Sequence, residues 1–235
     1  MSSASDGSAG ITAWIITFVG DRQDEIGGKG SKLYTVDGNP RETFSGVSSN
    51  DAPMQYLLSK AAQPGTERIR ILAVVSDKVF HVLPDAHESA YQVFCRKIGL
   101  FAREQGTGDR FDPATGIIPL HYDFEPETGT PVPSIHERTA HINSVIYSRI
   151  SGEDPGARKQ VYIDFTTGFR DISFLFTSII QFLGFYDIEL SRIVYSNVQE
   201  ARIYSLKYIT GITDLIQALN SFRLTGNVRQ LRELF

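Results

Sequence analysis

The sequence predicts an α/β fold: a mainly parallel sheet with helices on both faces. Three observations point to it. Residues 11–19 (ITAWIITFV), 69–75 (IRILAVV) and 160–165 (QVYIDF) are short apolar, β-branched runs with little alternation, the pattern of strands buried on both faces. Segments with helical periodicity separate them, so strand and helix alternate along the chain. Residues 160–195 show the unit most clearly: a strand, the turn TTGFRD, an apolar helix over 171–184 and a strand at 188–195 (IELSRIVY). A parallel pair of this kind needs a crossover, which the helix supplies, and the connection is expected to be right-handed.

The remaining elements follow in order. Residues 1–10 are rich in Ser, Gly and Ala and are expected to be flexible; they lack the basic and apolar parts of a signal peptide. After the first strand, residues 20–50 read as a long loop with a short hairpin around KLYTVDG, where Asp37-Gly38 is the turn signal. Asp51 is placed to cap a helix over 52–62 that tolerates Pro53 in its first turn. Pro84 and Asp85 are expected to open a helix reaching about Glu104, with Tyr91, Phe94, Ile98 and Phe101 on its apolar face. Residues 105–116 read as a surface loop, 117–124 as a strand, 125–133 as a second loop and 134–150 as a helix. Residues 201–209 suggest an edge strand, and 212–223 and 227–235 two helical pieces broken at Gly226-Asn227.

Composition narrows the function. The chain has 235 residues, of which 41 % are hydrophobic, enough for one large core. Its 23 basic and 27 acidic side chains leave a net charge of −4, which argues against a broad grip on duplex nucleic acid. A single cysteine, Cys95, forms neither an internal disulfide nor a zinc site alone, and fits the prokaryotic cytoplasm. No run approaches the ~20 apolar residues of a membrane span. His136, Glu137 and His141 share one helix, but Ala140 stands where a His-Glu-x-x-His motif needs histidine, so no metal is expected. His81, His87 and His121 are scattered, and no Ser-His-Asp set can be placed. Neither a Walker A loop nor a G-x-G-x-x-G fingerprint is present, and no cofactor is expected.

Ligands of open α/β sheets sit at the carboxyl ends of the strands. Two loops there have the right chemistry. Gly20, Asp21, Arg22 and Gln23 follow the first strand. Thr166, Thr167, Gly168, Phe169 and Arg170 lie between Asp164 and the apolar helix. In the second loop Gly168 permits close backbone approach, the helix start offers N–H groups to an anion, the threonines add hydroxyls and Arg170 a forked cation. The same Thr-Thr-Gly turn also reads as a simple helix cap, with Asp164 bracing it.

The segment VYIDFTTGFRDISFL resembles the Asp-x-Thr-His-Gly-x-Arg signature of CARF domains, the CRISPR-associated Rossmann-fold sensors, with Thr167 at the histidine position. ITFVGDRQ and KLYTVDG are similar to that family's first strand, ligand loop and Tyr-x-x-Asp-Gly hairpin; IVYSN and FRLTGN also fit. The resemblance spans roughly residues 11–227. It implies a Rossmann-like sensor over 11–209, followed by a helical segment over 210–235 that could link to an effector domain not in this chain. It further implies a homodimer that binds cyclic tetra- or hexa-adenylate across its two-fold axis, each protomer handling half the phosphates. The tetra-adenylate is favoured because its two-fold symmetry matches the dimer. Carried over by position, the contacts are Gly20, Asp21, Arg22, Gln23, Thr166, Thr167, Gly168, Phe169 and Arg170, with Ser49, Asn50 and Asn197 as further candidates. Thr167 can hydrogen-bond but cannot act as an acid as histidine could, which weakens acid–base chemistry there. Two alternatives stay open: a ring nuclease that cleaves its activator, and an unrelated Rossmann-like domain for mononucleotide binding or dimerisation.

Overall fold

The first strand shows how two cores form on one sheet. Ala13 and Ile15 point to one face and Trp14, Ile16 and Phe18 to the other, and all five are buried. A strand covered on both sides has no solvent face, so alternation disappears from its sequence. The computed structural model describes residues 10–20, 30–82, 86–123, 131, 134–166, 170–186, 188–226 and 228–229. The strands are β1 (Ile11–Phe18), β2 (Lys32–Val36), β3 (Asn39–Gly46), β4 (Thr66–Val75), β5 (Ile117–His121), β6 (Arg158–Asp164), β7 (Glu189–Asn197) and β8 (Arg202–Ser205). The helices are α1 (Asp51–Ala61), α2 (Ala90–Glu104), the single turn α3 (Pro113–Gly116), α4 (Ile135–Gly152), α5 (Arg170–Phe185) and α6 (Lys207–Thr225).

The sheet order is β3-β2-β8-β7-β6-β1-β4-β5. The block β7-β6-β1-β4-β5 is parallel throughout. β8 runs antiparallel to β7 and parallel to β2, and β2 and β3 form an antiparallel hairpin. The expected α/β class with a mainly parallel sheet is therefore observed. α1 and α2 cover one face, packing Leu57, Leu58, Phe94 and Ile98 against Ile15, Ile69 and Ile71. α4 and α5 cover the other, packing Ile142, Ile146, Phe176, Ile179 and Leu183 against Trp14, Ile16 and Ile163. The apolar face of α5 is thus core.

Several boundaries differ from expectation, each for a physical reason. The strand near 201–209 is not an edge strand. β8 lies between β7 and β2, because the β2–β3 hairpin folds out beyond it and takes the edge. The hairpin turns at Asp37-Gly38 as expected, with Gly38 at φ 76°, a conformation that favours glycine. α1 starts at Asp51, so Asp51 is not the cap; that position falls to Asn50, whose side chain makes no capping bond. α2 begins later than expected, at Ala90. Ser89 caps it through a reciprocal pair: its hydroxyl accepts from Gln92 N–H at 3.2 Å, and its own N–H meets Gln92 Oε1 at 2.8 Å. Pro84 and Asp85 lie outside the described residues. Ser134 and Glu137 form the same box on α4. Within 105–116, Asp112 caps the single turn of α3. α6 runs unbroken through position 210 and ends on Gly226 at φ 71°. Among the described residues, no helix is long and apolar enough to cross a membrane.

Candidate functional site

Connections from neighbouring strands diverge between β1 and β6. β1 leads through the hairpin and α1 to β4 on one side; β6 leads through α5 to β7 on the other. α1 and α5 cover opposite faces, so the carboxyl ends of β1 and β6 form the switch point where such sheets place their ligand crevice. Both motif loops leave the sheet here.

The two strand ends are joined by a buried polar cluster. Parallel register sets Thr17 of β1 beside Asp164 of β6. Thr17 Oγ1 donates to Asp164 Oδ2 at 2.9 Å. Asn50, at the start of α1, donates through Nδ2 to Asp164 Oδ2 at 2.9 Å, to Thr17 Oγ1 at 3.2 Å and to the Phe18 carbonyl at 3.1 Å. Thr166 N–H donates to Asp164 Oδ1 at 3.0 Å, closing the first turn after β6. The Thr166 hydroxyl in turn accepts from Ser196 N–H on β7 at 2.9 Å. β1, β6, β7 and α1 are thereby locked together just below the loops. Asp164 does brace the turn, as one reading of the sequence holds, but it also anchors β1 and α1.

Asp164 is fully buried, and burial pushes its carboxyl above the ordinary value, while hydrogen bonds from Thr166, Asn50 and Thr17 pull it back. The native state therefore holds this proton to higher pH than the unfolded chain does. Where the native form binds more protons, stability falls as pH rises. The Asp164 contribution should thus be full below about pH 4, the unfolded carboxylate value. It should be lost as pH climbs through the raised native value. Denaturant melts of wild type and Asp164→Asn between pH 3 and 8 check this: the stability of wild type relative to the variant should decline across that window, and a rising difference would contradict the burial effect.

The predicted residues divide as follows. Gly20, Asn50, Thr166 and Asn197 all lie at the carboxyl ends of β1, β6 and β7 or the adjoining start of α1. Asn50 and Thr166 belong to the buried cluster, so their polar atoms hold the loops in place. Asn197 is turned to local use: its Oδ1 accepts from Gln199 and Glu200 N–H at 2.9 and 3.2 Å, folding the turn into β8. Ser49 sits half-buried in the turn before α1. A Cβ added at Gly20 would meet no atom of the described residues within 4 Å. Arg170 is the first residue of α5, with only its backbone described. Asp21, Arg22, Gln23, Thr167, Gly168 and Phe169 lie outside the described residues.

Residues missed in the sequence complete the support. The one sequence signal of Thr17 is a polar residue near the end of an apolar strand, and its partner lies 147 positions away. The Asp51 carboxylate accepts from Val47 and Ser48 N–H, both at 2.9 Å, and pairs with Lys97 of α2 at 3.2 Å. It fixes the segment that delivers Asn50. Among the described residues, no cluster of His, Cys, Asp and Glu could hold a metal ion. The sequence matches no known protein family and no curated protein.

Proposed function

We propose that this chain is a CARF-type sensor domain that binds a cyclic oligoadenylate at a homodimer interface, with cyclic tetra-adenylate favoured over the hexa-adenylate. One observation supports the reading most. Asn50 bridges Thr17 and Asp164, so the two loops that resemble the family's ligand loops start side by side at the β1/β6 crevice. The described anchors of both loops, Thr17, Asn50, Asp164 and Thr166, are tied to one another by hydrogen bonds, which supports a shared site above them. The helix start at Arg170 adds N–H groups suited to a phosphate. The setting that fits is a CRISPR defence system of the prokaryotic cytoplasm, with an effector domain as a further partner.

Binding is favoured over cleavage. A base near a ribose hydroxyl would assist cutting of the ring, and Asp164, the carboxyl group the described residues place at these strand ends, is fully buried and hydrogen-bonded by Thr17, Asn50 and Thr166. Calorimetric titration with cyclic tri-, tetra- and hexa-adenylate tests the proposal, with the tetra-adenylate expected to bind most tightly. No heat and no thermal shift with any ring would overturn it. Linear product accumulating from the ring over hours would instead favour the ring nuclease.

A further inference from the structure

α6 is held to its own chain along one side. Leu206 and Ile209 pack against the core shared with α5, and Ala218 is buried. A second set of apolar residues faces outward. Tyr208, Ile212, Leu219 and Phe222 are 45–62 % exposed, Leu215 is half-buried among them, and Ile216 beside them is 49 % exposed. Tyr208, Ile212, Leu215, Leu219 and Phe222 follow one another at spacings of four, three, four and three residues. That is a mean period of 3.5, the seam of paired helices. A helix that only covers its own core needs no such outer stripe. Side chains of this size at about half exposure present on the order of 500 Å² per copy, as much as the largest apolar patch of a typical monomer, and patches of that size mark interaction sites. Two such seams together would bury about 1,000 Å², the area at which a specific interface begins.

We propose that α6 is a self-association helix, whose outer seam pairs antiparallel with the same seam of a second copy of this chain. Charge and symmetry select that occupant. Of the 19 residues of α6 only Lys207, Asp214 and Arg223 are charged, and none stands at a seam position. The seam carries no charge code to select a foreign partner, and nothing in it repels an identical helix. It also reads alike from both ends: aromatic Tyr208 and Phe222 at the limits, aliphatic Ile212, Leu215 and Leu219 between them. A two-fold axis near Leu215 sets each copy's Tyr208 end against the other's Phe222 end, and position 212 against position 219. That is the self-complementarity an isologous contact requires. The pairing needs no ring, so it stands apart from the ring-binding reading.

Sedimentation without ring, at about 50 µM chain, tests it; wild type should run as a dimer, as an interface of this size allows. Ile212→Lys and Leu219→Glu should each raise the dimer dissociation constant at least about a hundredfold, because the pair would bury the new charge twice. Both positions are about half exposed in the single chain, so the far-UV circular dichroism spectrum should not change. An equimolar mixture of the two variants should dimerise again. The introduced ammonium then meets the introduced carboxylate, and the remaining Ile212 meets the remaining Leu219. A wild type that is monomeric overturns the proposal, as does a dimer that survives both single substitutions or a mixture that stays monomeric. Titrating cyclic tetra-adenylate into the same wild-type sample separates the two readings. A dimer that binds no ring leaves the seam standing and sinks the sensor; a monomer that pairs only around a ring does the reverse.

Discussion

Asn50→Ala is expected to lower the unfolding free energy by about 3 kcal/mol, one to two hydrogen bonds to a charged or buried group, and to weaken ring binding severely. A helix-cap role alone would cost about 1 kcal/mol, and Asn50 makes no side-chain capping bond. Its worth lies instead in the two Nδ2 hydrogens, shared among Asp164, Thr17 and the Phe18 carbonyl. Alanine leaves the fully buried Asp164 short of a donor and unties α1 from both strand ends. For a chain of this size, 3 kcal/mol corresponds to a fall in melting temperature of roughly 6–12 °C. Asn50→Asp should be worse still, since it sets a second carboxylate against Asp164. Chemical denaturation of the two variants checks the ordering; a loss of 1 kcal/mol or less would reduce Asn50 to a cap.

Arg170→Ala is expected to weaken ring binding by about 1.5–3 kcal/mol per protomer, the range of a charge-assisted hydrogen bond, with little change in melting temperature. Arg170 is the first residue of α5. A cation there opposes the helix dipole by about 0.3–1 kcal/mol, so removing it should not destabilise the helix. The position makes sense if Arg170 meets an anion. In a two-fold site both protomers lose the contact, so the combined effect is doubled. Ring titration and thermal melting of the one variant separate the roles. Unchanged affinity with a clear loss of stability would make Arg170 a brace for Asp164 or Asp171.

The fold was legible where burial leaves a one-dimensional trace. β1, β4 and β6 show as unbroken apolar runs, and the β6–α5–β7 unit shows in its turn chemistry. What was not legible depends on pairing across the chain. Nothing local in RIYS says that β8 joins β7 to β2, because that depends on where the distant hairpin docks. The same holds in the site. Gly20 and Thr166 stand out as candidates because their loops follow strands, a local signal. Thr17 looked like an ordinary strand threonine, and Asn50 ranked among the further candidates, because their common partner Asp164 is more than a hundred positions away. Asp51 suits a cap by local preference, but its carboxylate is engaged by Lys97 and the 47–48 backbone N–H groups, contacts that no local pattern announces.

Native mass spectrometry of the chain with cyclic tetra-adenylate tests the central proposal most directly. Two chains carrying one ring is the expected species, and Arg170→Ala should deplete it. A monomer with one ligand per chain, or no ring bound at any ratio, would contradict the dimeric sensor and return the fold to a plain nucleotide-binding or dimerisation domain.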